Sequence, residues 1–244
     1  NAVQENTFNT TNGQIGIMTG SKNVITLDLN RIIQDWQHTW SDYKDHIDVD
    51  INKCCFPVDW ITHKDFQEGI KKYIENILER VYLYQYAYND LMHWCKDHLY
   101  AAYDAGFINL DKQYLTIGIN GLNQAAEYLG MECNNNIYYK TFCRLIFSTI
   151  KEQNKKHKTK TAQFNTEQVP AESASVKLYN RDKADGYWIP TATNLYASYI
   201  FKPNDTHISI LDKIILHSSE FAADELDGGS ACHLNLSEHL SQKQ

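Results

Sequence analysis

Two short apolar runs constrain the fold of this chain most: Val24-Ile25-Thr26-Leu27-Asp28-Leu29 and Tyr114-Leu115-Thr116-Ile117-Gly118-Ile119. The first is apolar on both faces except at Thr26 and Asp28, and the second is a like run. That pattern belongs to a strand inside an α/β sheet, not to a half-solvated antiparallel one. Helical signals follow both runs. Strands alternating with helices imply an α/β architecture with much parallel pairing, and no internal repeat is visible.

The helical segments are read from period and punctuation. Asn30 to Trp40 continue from the first strand as a helix, and Pro57 breaks the next segment. From Asp65, with Glu68 as its capping partner, a long pattern runs to about Tyr103 and stops at Gly106. Phe66, Ile70, Ile74, Ile77, Val81, Leu91, Trp94, Cys95, Leu99 and Ala102 fit a 3.6-residue period in two registers. Tyr82, Tyr84, Tyr86 and Tyr88 crowd its middle and read as a core or interface face. Asn120-Gly121 turns into a helix over Leu122 to Leu129, closed by Gly130, and another runs from Tyr138 to about Asn154. The basic run Lys155 to Lys160 reads as a solvated helix end. A strand over Thr161 to Asn165, a strand over Val176 to Tyr179, a loop at Asp185-Gly186 and a helix over Ile208 to Phe221 are expected next. The sharp turn Asp227-Gly228-Gly229-Ser230 then leads into a strand over Ala231 to Leu236. Ser237 is the expected N-cap of a last helix that Gln244 interrupts. With Asn1 in place of Met, both ends read as cut, as in a fragment of a larger protein.

Composition narrows the function classes. The 244 residues are 43% hydrophobic, enough for one good-sized core, and are read as a single α/β domain over 1–244. No apolar run is long enough to span a membrane, and no signal peptide is visible, so a cytoplasmic protein is expected. A net charge of −7 argues against nucleic-acid binding. The six cysteines, Cys54, Cys55, Cys95, Cys133, Cys143 and Cys232, form no C-x-x-C pair, so no metal is expected in this segment. They read as reduced and largely structural. The N-x-S/T triplets at Asn9, Asn204 and Asn235 are attributed to chance.

The segment Gln168-Val169-Pro170-Ala171-Glu172-Ser173-Ala174 carries the sharpest chemical expectation. Pro170 suits the first position of a helix. The N–H groups of Ala171, Glu172 and Ser173 would then point out of its positive end, where an anion binds. Ala171 and Ala174 are small enough to let a phosphate approach. An ordinary capped helix start is the other reading of the same residues.

Several stretches resemble the anaerobic (class III, glycyl-radical) ribonucleoside-triphosphate reductases. They are Gly20-Ser21 with Asn23 to Arg31, Ala105 to Ile108, Gln113 to Leu122, Val169 to Ser173, Asp182-Lys183 with Asp185-Gly186-Tyr187, Leu216-His217, and Leu226 to Leu236. They stand in the family's order and cover nearly the whole chain. The resemblance implies part, about half, of a ten-stranded α/β barrel built of two half-barrels, here the second half. It implies replacement of a ribose 2′-hydroxyl by hydrogen in a nucleoside triphosphate. A glycyl radical from a domain missing here would generate a thiyl radical, with formate or a thiol as reductant. The implied partners are the remaining reductase domains or subunits, a radical S-adenosylmethionine activase, the nucleoside triphosphate, and a second copy in a homodimer.

By the same resemblance, Val169, Pro170, Ala171, Glu172, Ser173 and Ala174 would meet the substrate phosphates. Gly228 and Gly229 resemble the family's glycine turn near the active site. The Val24–Leu29 strand would lie against the ribose, with Asp28 where the family usually has Asn. Asp28 could accept from a ribose hydroxyl, act as a base, or mark lost activity. It could also be a buried Asp paired to Arg31 or a backbone cap. Cys232 and His233 read as core residues of a strand. No cysteine matches the thiyl position, and neither an Arg-x-x-Gly-Tyr segment nor a four-cysteine zinc site occurs in these residues. A non-catalytic module that binds nucleotide or a partner is therefore the alternative. Another glycyl-radical enzyme, a formate-lyase or dehydratase relative, is disfavoured by Val-Pro-Ala-Glu-Ser.

Overall fold

The computed structural model describes residues 20–39, 57–99, 101–168 and 171–234. The elements run β1 (Ser21–Asp28), α1 (Leu29–Thr39), a 3-10 turn (Val58–Thr62), α2 (Lys64–Leu99), α3 (Ala101–Asp104), a second 3-10 turn (Leu110–Lys112), β2 (Tyr114–Asn120), α4 (Leu122–Tyr128), α5 (Ile137–His157), β3 (Gln163–Gln168), α6 (Glu172–Ala184), α7 (Ile210–His217), α8 (Glu220–Glu225) and β4 (Gly229–Ser230). The four strands form one sheet in chain order, every pair parallel. Parallel neighbours need long crossovers, and helices supply them.

The two faces of this sheet differ in chemistry. Side chains alternate along a strand, and register partners share a face. Val24 pairs with Thr116, Asp28 with Asn120, and Thr116 with Asn165. One face therefore carries Ile25, Leu27, Leu115, Ile117, Ile119 and Phe164, which join the hydrophobic core with the helices. The other carries Thr26, Asp28, Thr116, Gly118, Asn120, Asn165 and Glu167. Across it, Ser21 Oγ lies 2.7 Å from Thr116 Oγ1, which donates to Asn165 Oδ1 at 2.7 Å. A parallel sheet is ordinarily apolar on both sides. A polar second face is what the wall of a site-bearing barrel presents.

Helix α2 shows how the core is sorted. Phe66, Ile70, Ile74, Leu78, Val81 and Tyr82 are buried, and the same register continues in Gln85 and Asn89. The second register of the apolar pattern is largely solvent-facing, with Leu91 and Trp94 exposed. The tyrosine cluster divides likewise. Tyr82 is buried and stacks on His157 at 4.0 Å, Tyr84 is exposed, and Tyr86 and Tyr88 pack partly against the core. Lys155, Lys156, Lys158 and Lys160 are exposed around the end of α5.

Four expectations are corrected. Val176 to Tyr179 lies within helix α6, not in a strand. Ala231 to Leu234 is irregular, because the last strand is only Gly229–Ser230. Ile208 to Phe221 is broken into α7 and α8, where the Ser218 and Ser219 hydroxyls bond the Ile214 and Leu216 carbonyls and end the first helix. Cys95, Cys133 and Cys143 are buried. Cys232 and His233 are exposed, contrary to their reading as core. Cys54, Cys55, the tail from Asn235 with Leu236 and Ser237, and the pair Val169-Pro170 lie outside the described residues. Among the described residues, no helix is long and apolar enough to cross a membrane.

Candidate functional site

The carboxyl ends of parallel strands are where open and closed α/β folds place their sites. Here these ends are Asp28, Asn120, Gln168 and Ser230. Asp28 closes β1 and opens α1, its Oδ1 accepting the Arg31 backbone N–H at 3.2 Å. The cap alternative for this residue therefore holds. The pairing alternative does not, because the Arg31 guanidinium is engaged elsewhere.

Arg31 Nε donates to Asp182 Oδ1 at 2.7 Å and its other arm to Asp185 Oδ2 at 2.6 Å. Its guanidinium also lies over the Tyr187 ring, 4.4 Å from the centroid. Asp182 is fully buried and also accepts from Asn30 Nδ2 at 3.0 Å and the Tyr196 hydroxyl at 2.5 Å. Two sequence pieces far apart, Asn30-Arg31 and Asp182 to Tyr187, thus lock the end of α6 to the start of α1.

Asn120, the register partner of Asp28, is also fully buried. Its Nδ2 donates to Ser175 Oγ at 3.0 Å and Ser198 Oγ at 2.8 Å. Gly121 follows at φ +74, and a Cβ there would stand 3.2 Å from the Asn30 backbone nitrogen and 3.5 Å from Asp28 Oδ1. Glycine is what lets β2 turn this close to α1.

Ser175 brings the start of α6 to the same place. Its hydroxyl donates to the Ala171 carbonyl at 2.9 Å, and its backbone N–H bonds that carbonyl at 2.7 Å. Ala171 is the N-cap and offers no side-chain cap. Of the three N–H groups expected to be free, that of Ala171 is occupied, donating to Ser198 Oγ at 3.3 Å. Those of Glu172 and Ser173 have no intrahelical acceptor by their place in the first turn. Ser173 is exposed, and Ala171 and Ala174 are half-buried.

Gly228 and Gly229 lie on the far side of β3. Gly228 N–H donates to the Thr166 carbonyl at 2.9 Å. A Cβ on Gly228 would come within 2.4 Å of Glu167 Cγ and 2.8 Å of the Thr166 carbonyl oxygen. Burial pushes the Glu167 and Asp227 carboxyls up, and the Asp227 side chain accepts the Thr166 N–H at 2.8 Å.

Buried polar atoms without a partner collect at these strand ends. Among the described residues Asp28 Oδ2, Asn30 Oδ1 and Asn120 Oδ1 stand together in this way, while the two amide atoms of Gln168 are unpartnered on the core face of β3 and further such atoms lie away from the strand ends. Each such atom costs about 1–3 kcal/mol in a sealed interior, so a cluster marks a place built for something else. Sequence reading missed Asn120, Ser175, Ser198, Asn30, Tyr196 and Gln168 as site residues. The Asn120-Gly121 turn was a usable signal for the first. Nothing in the pattern singled out the two serines.

The family model described as anaerobic ribonucleoside-triphosphate reductase matches residues 2–244. The chain belongs to this family. Solved structures agree in fold. The anaerobic ribonucleotide reductase from Thermotoga maritima with MES in the active site is 21% identical at a TM-score of 0.60, covering 92% of this chain and 34% of that one. The same organism's enzyme in complex with dATP and CTP is 22% identical at a TM-score of 0.56, covering 91% and 33%. A further anaerobic ribonucleotide reductase is 21% identical at a TM-score of 0.58, covering 93% and 32%. No curated protein matches. The chain spans about a third of the length of these reductases. A parallel α/β sheet of this extent, polar on one face, accords with part of a barrel.

Proposed function

We propose that this chain forms the substrate-phosphate and ribose side of an anaerobic ribonucleoside-triphosphate reductase. The carrying observation is the cluster of unpartnered buried polar atoms beside an uncapped helix start. The N–H groups of Glu172 and Ser173 would hold a phosphate at the positive end of α6, with Val169, Pro170, Ala171 and Ala174 lining its approach. Asn120, one strand over, and Asp28, two strands over, would meet the ribose hydroxyls. Gly228 and Gly229 would give the floor beyond β3, where a side chain on Gly228 would intrude.

The radical chemistry would come from the rest of the enzyme. A glycyl radical installed by the activase, with formate or a thiol as reductant, supplies hydrogen abstraction from the ribose. What these residues do is bind, orient and exclude water. Cys95, Cys133 and Cys143 are buried, and burial pushes the Cys133 and Cys143 thiols well above the ordinary value. They suit packing, not exchange with a substrate. The full enzyme is expected to be a cytoplasmic homodimer.

Calorimetric titration with nucleoside triphosphates tests this reading. The chain should bind them, and Ser173→Trp, which fills the mouth of the helix start, should weaken binding at least about tenfold, or 1.4 kcal/mol. Equal affinity in both proteins would remove the phosphate from α6.

A further inference from the structure

Asp28 and Asp182 stand together at the top of β1, and their surroundings are unequal. Asp182 is fully buried and receives three donors, from Arg31 Nε, Asn30 Nδ2 and the Tyr196 hydroxyl. Such a set gives both oxygens of Asp182 a donor. Asp28 receives one, the Arg31 backbone N–H on Oδ1, while its Oδ2 is buried with no donor among the described residues. The groups facing Asp28 are Asp182 of α6, Arg31 and Asn30 of α1, Asn120 of β2 and Tyr196. The facing cation, Arg31, has its guanidinium on Asp182 and Asp185. Two carboxyls sharing a buried site do not both ionise, and the proton goes to the one with fewer donors.

We propose that Asp28 keeps its carboxyl proton into the neutral pH range, and that Asp182 is the positioning residue that helps hold it there. Burial first, then the Asp182 carboxylate, push Asp28 up to about 7, in the same direction as the geometry. A neutral acid offers both a donor and an acceptor, as a carboxamide does, so Asp28 can meet a hydroxyl ligand either way. It also removes one negative charge from beside the helix start proposed to hold phosphate. This last consequence rests on the proposed function. The protonation does not.

Carbon-13 carboxyl titration of the chain by NMR reads the proton directly, with no ligand. Asp28 should titrate with a midpoint near 7. In Asp182→Asn it should fall but stay above the ordinary value of about 4, because the burial remains. A wild-type midpoint below about 5, or one that Asp182→Asn leaves in place, overturns the proposal. If Asp182→Asn does not fold, Asp28→Asn serves in its stead. An acid whose pKa is raised in the folded state stabilises that state below the unfolded pKa, and the contribution is lost as pH rises through the folded one. The melting temperature of wild type should therefore fall relative to Asp28→Asn between about pH 4 and 8. Parallel curves would refute it. Triphosphate binding, measured separately, should weaken above neutrality in wild type and lose that dependence in Asp28→Asn. If the NMR result holds but no nucleotide binds, the proposed function fails and the acid pair stands.

Discussion

Lys22 and Asp28 sit at opposite ends of β1, both ionisable and both drawn into the protein, and they are treated in opposite ways. Lys22 is completely answered. Its ammonium donates to Asn89 Oδ1 at 2.5 Å, the Leu110 carbonyl at 3.1 Å and the Thr161 carbonyl at 3.0 Å, one acceptor for each hydrogen. Burial still lowers it to about 8, against the opposing pull of Asp111. Asp28 is left with an oxygen that meets no donor among the described residues, as are Asn30 and Asn120 beside it. The contrast separates the amino end of the sheet, closed on itself, from the carboxyl end, left open to further bonds. On the proposed function, a ligand and not the fold would complete such unmet groups.

The largest test of this contrast falls on the closed end. Lys22→Met keeps the length and the apolar stem but leaves Asn89 Oδ1 and the Thr161 carbonyl without their donor. It should cost about 2–4 kcal/mol, read as a lower denaturant midpoint at unchanged slope. A loss under about 1 kcal/mol would mean that the amino end is no better satisfied than the other.

Next in size is the glycine turn. Gly228→Ala places a Cβ against Glu167 Cγ, Asn165 Nδ2 and the Thr166 carbonyl, at 2.4, 2.8 and 2.8 Å. Glu167 can move, but the Thr166 carbonyl belongs to β3 and accepts the Gly228 N–H itself. Separation of β4 from β3 should cost about 1–3 kcal/mol in the unfolding free energy. A fully tolerated alanine would show that the two strands need not approach so closely.

Much of the closed end was legible in the sequence, and much of the open end was not. Apolar runs betray strands, and Gly106, Gly121 and Gly130 punctuate helices wherever tertiary structure agrees with local preference. Helix α6 defeats that logic. Its buried positions, Ser175, Tyr179 and Asp182, do recur at helical spacing. Two of the three are polar, so no apolar stripe announces them, while Val176, Leu178 and Tyr179 mimic a strand. The stabilising contacts are Asp182 with Arg31 and Ser175 with Asn120, partners separated by many residues. The strand expected over Ala231 to Leu236 failed for a related reason. Its pairing is confined to Gly229–Ser230, with one further bond from the Ala231 N–H to the Gln168 carbonyl at 3.3 Å where β3 ends, and the described residues 232–234 have no strand beside them. Chemistry placed a helix start at Pro170, but α6 begins at Glu172 with Ala171 as its cap, and the bond from Asn120 to Ser175 that ties it to β2 joins partners too far apart in the chain to be read from it.

The smallest effect has the opposite sign. Gln168 ends β3, fully buried, with both amide atoms unpartnered among the described residues. By register it shares the face of Thr166 and Phe164, on the side of the apolar core. Gln168→Leu removes two unmet polar atoms and adds a branched apolar group of similar volume. If the carboxyl end trades stability for unmet bonds, leucine should stabilise the chain, by about 1 kcal/mol in chemical unfolding. The same change should weaken whatever ligand the amide serves. Gain in stability with loss of nucleotide affinity would tie Gln168 to the site. Gain with affinity intact would make it an imperfection of the core, and a loss of stability would show that the amide holds the strand end after all.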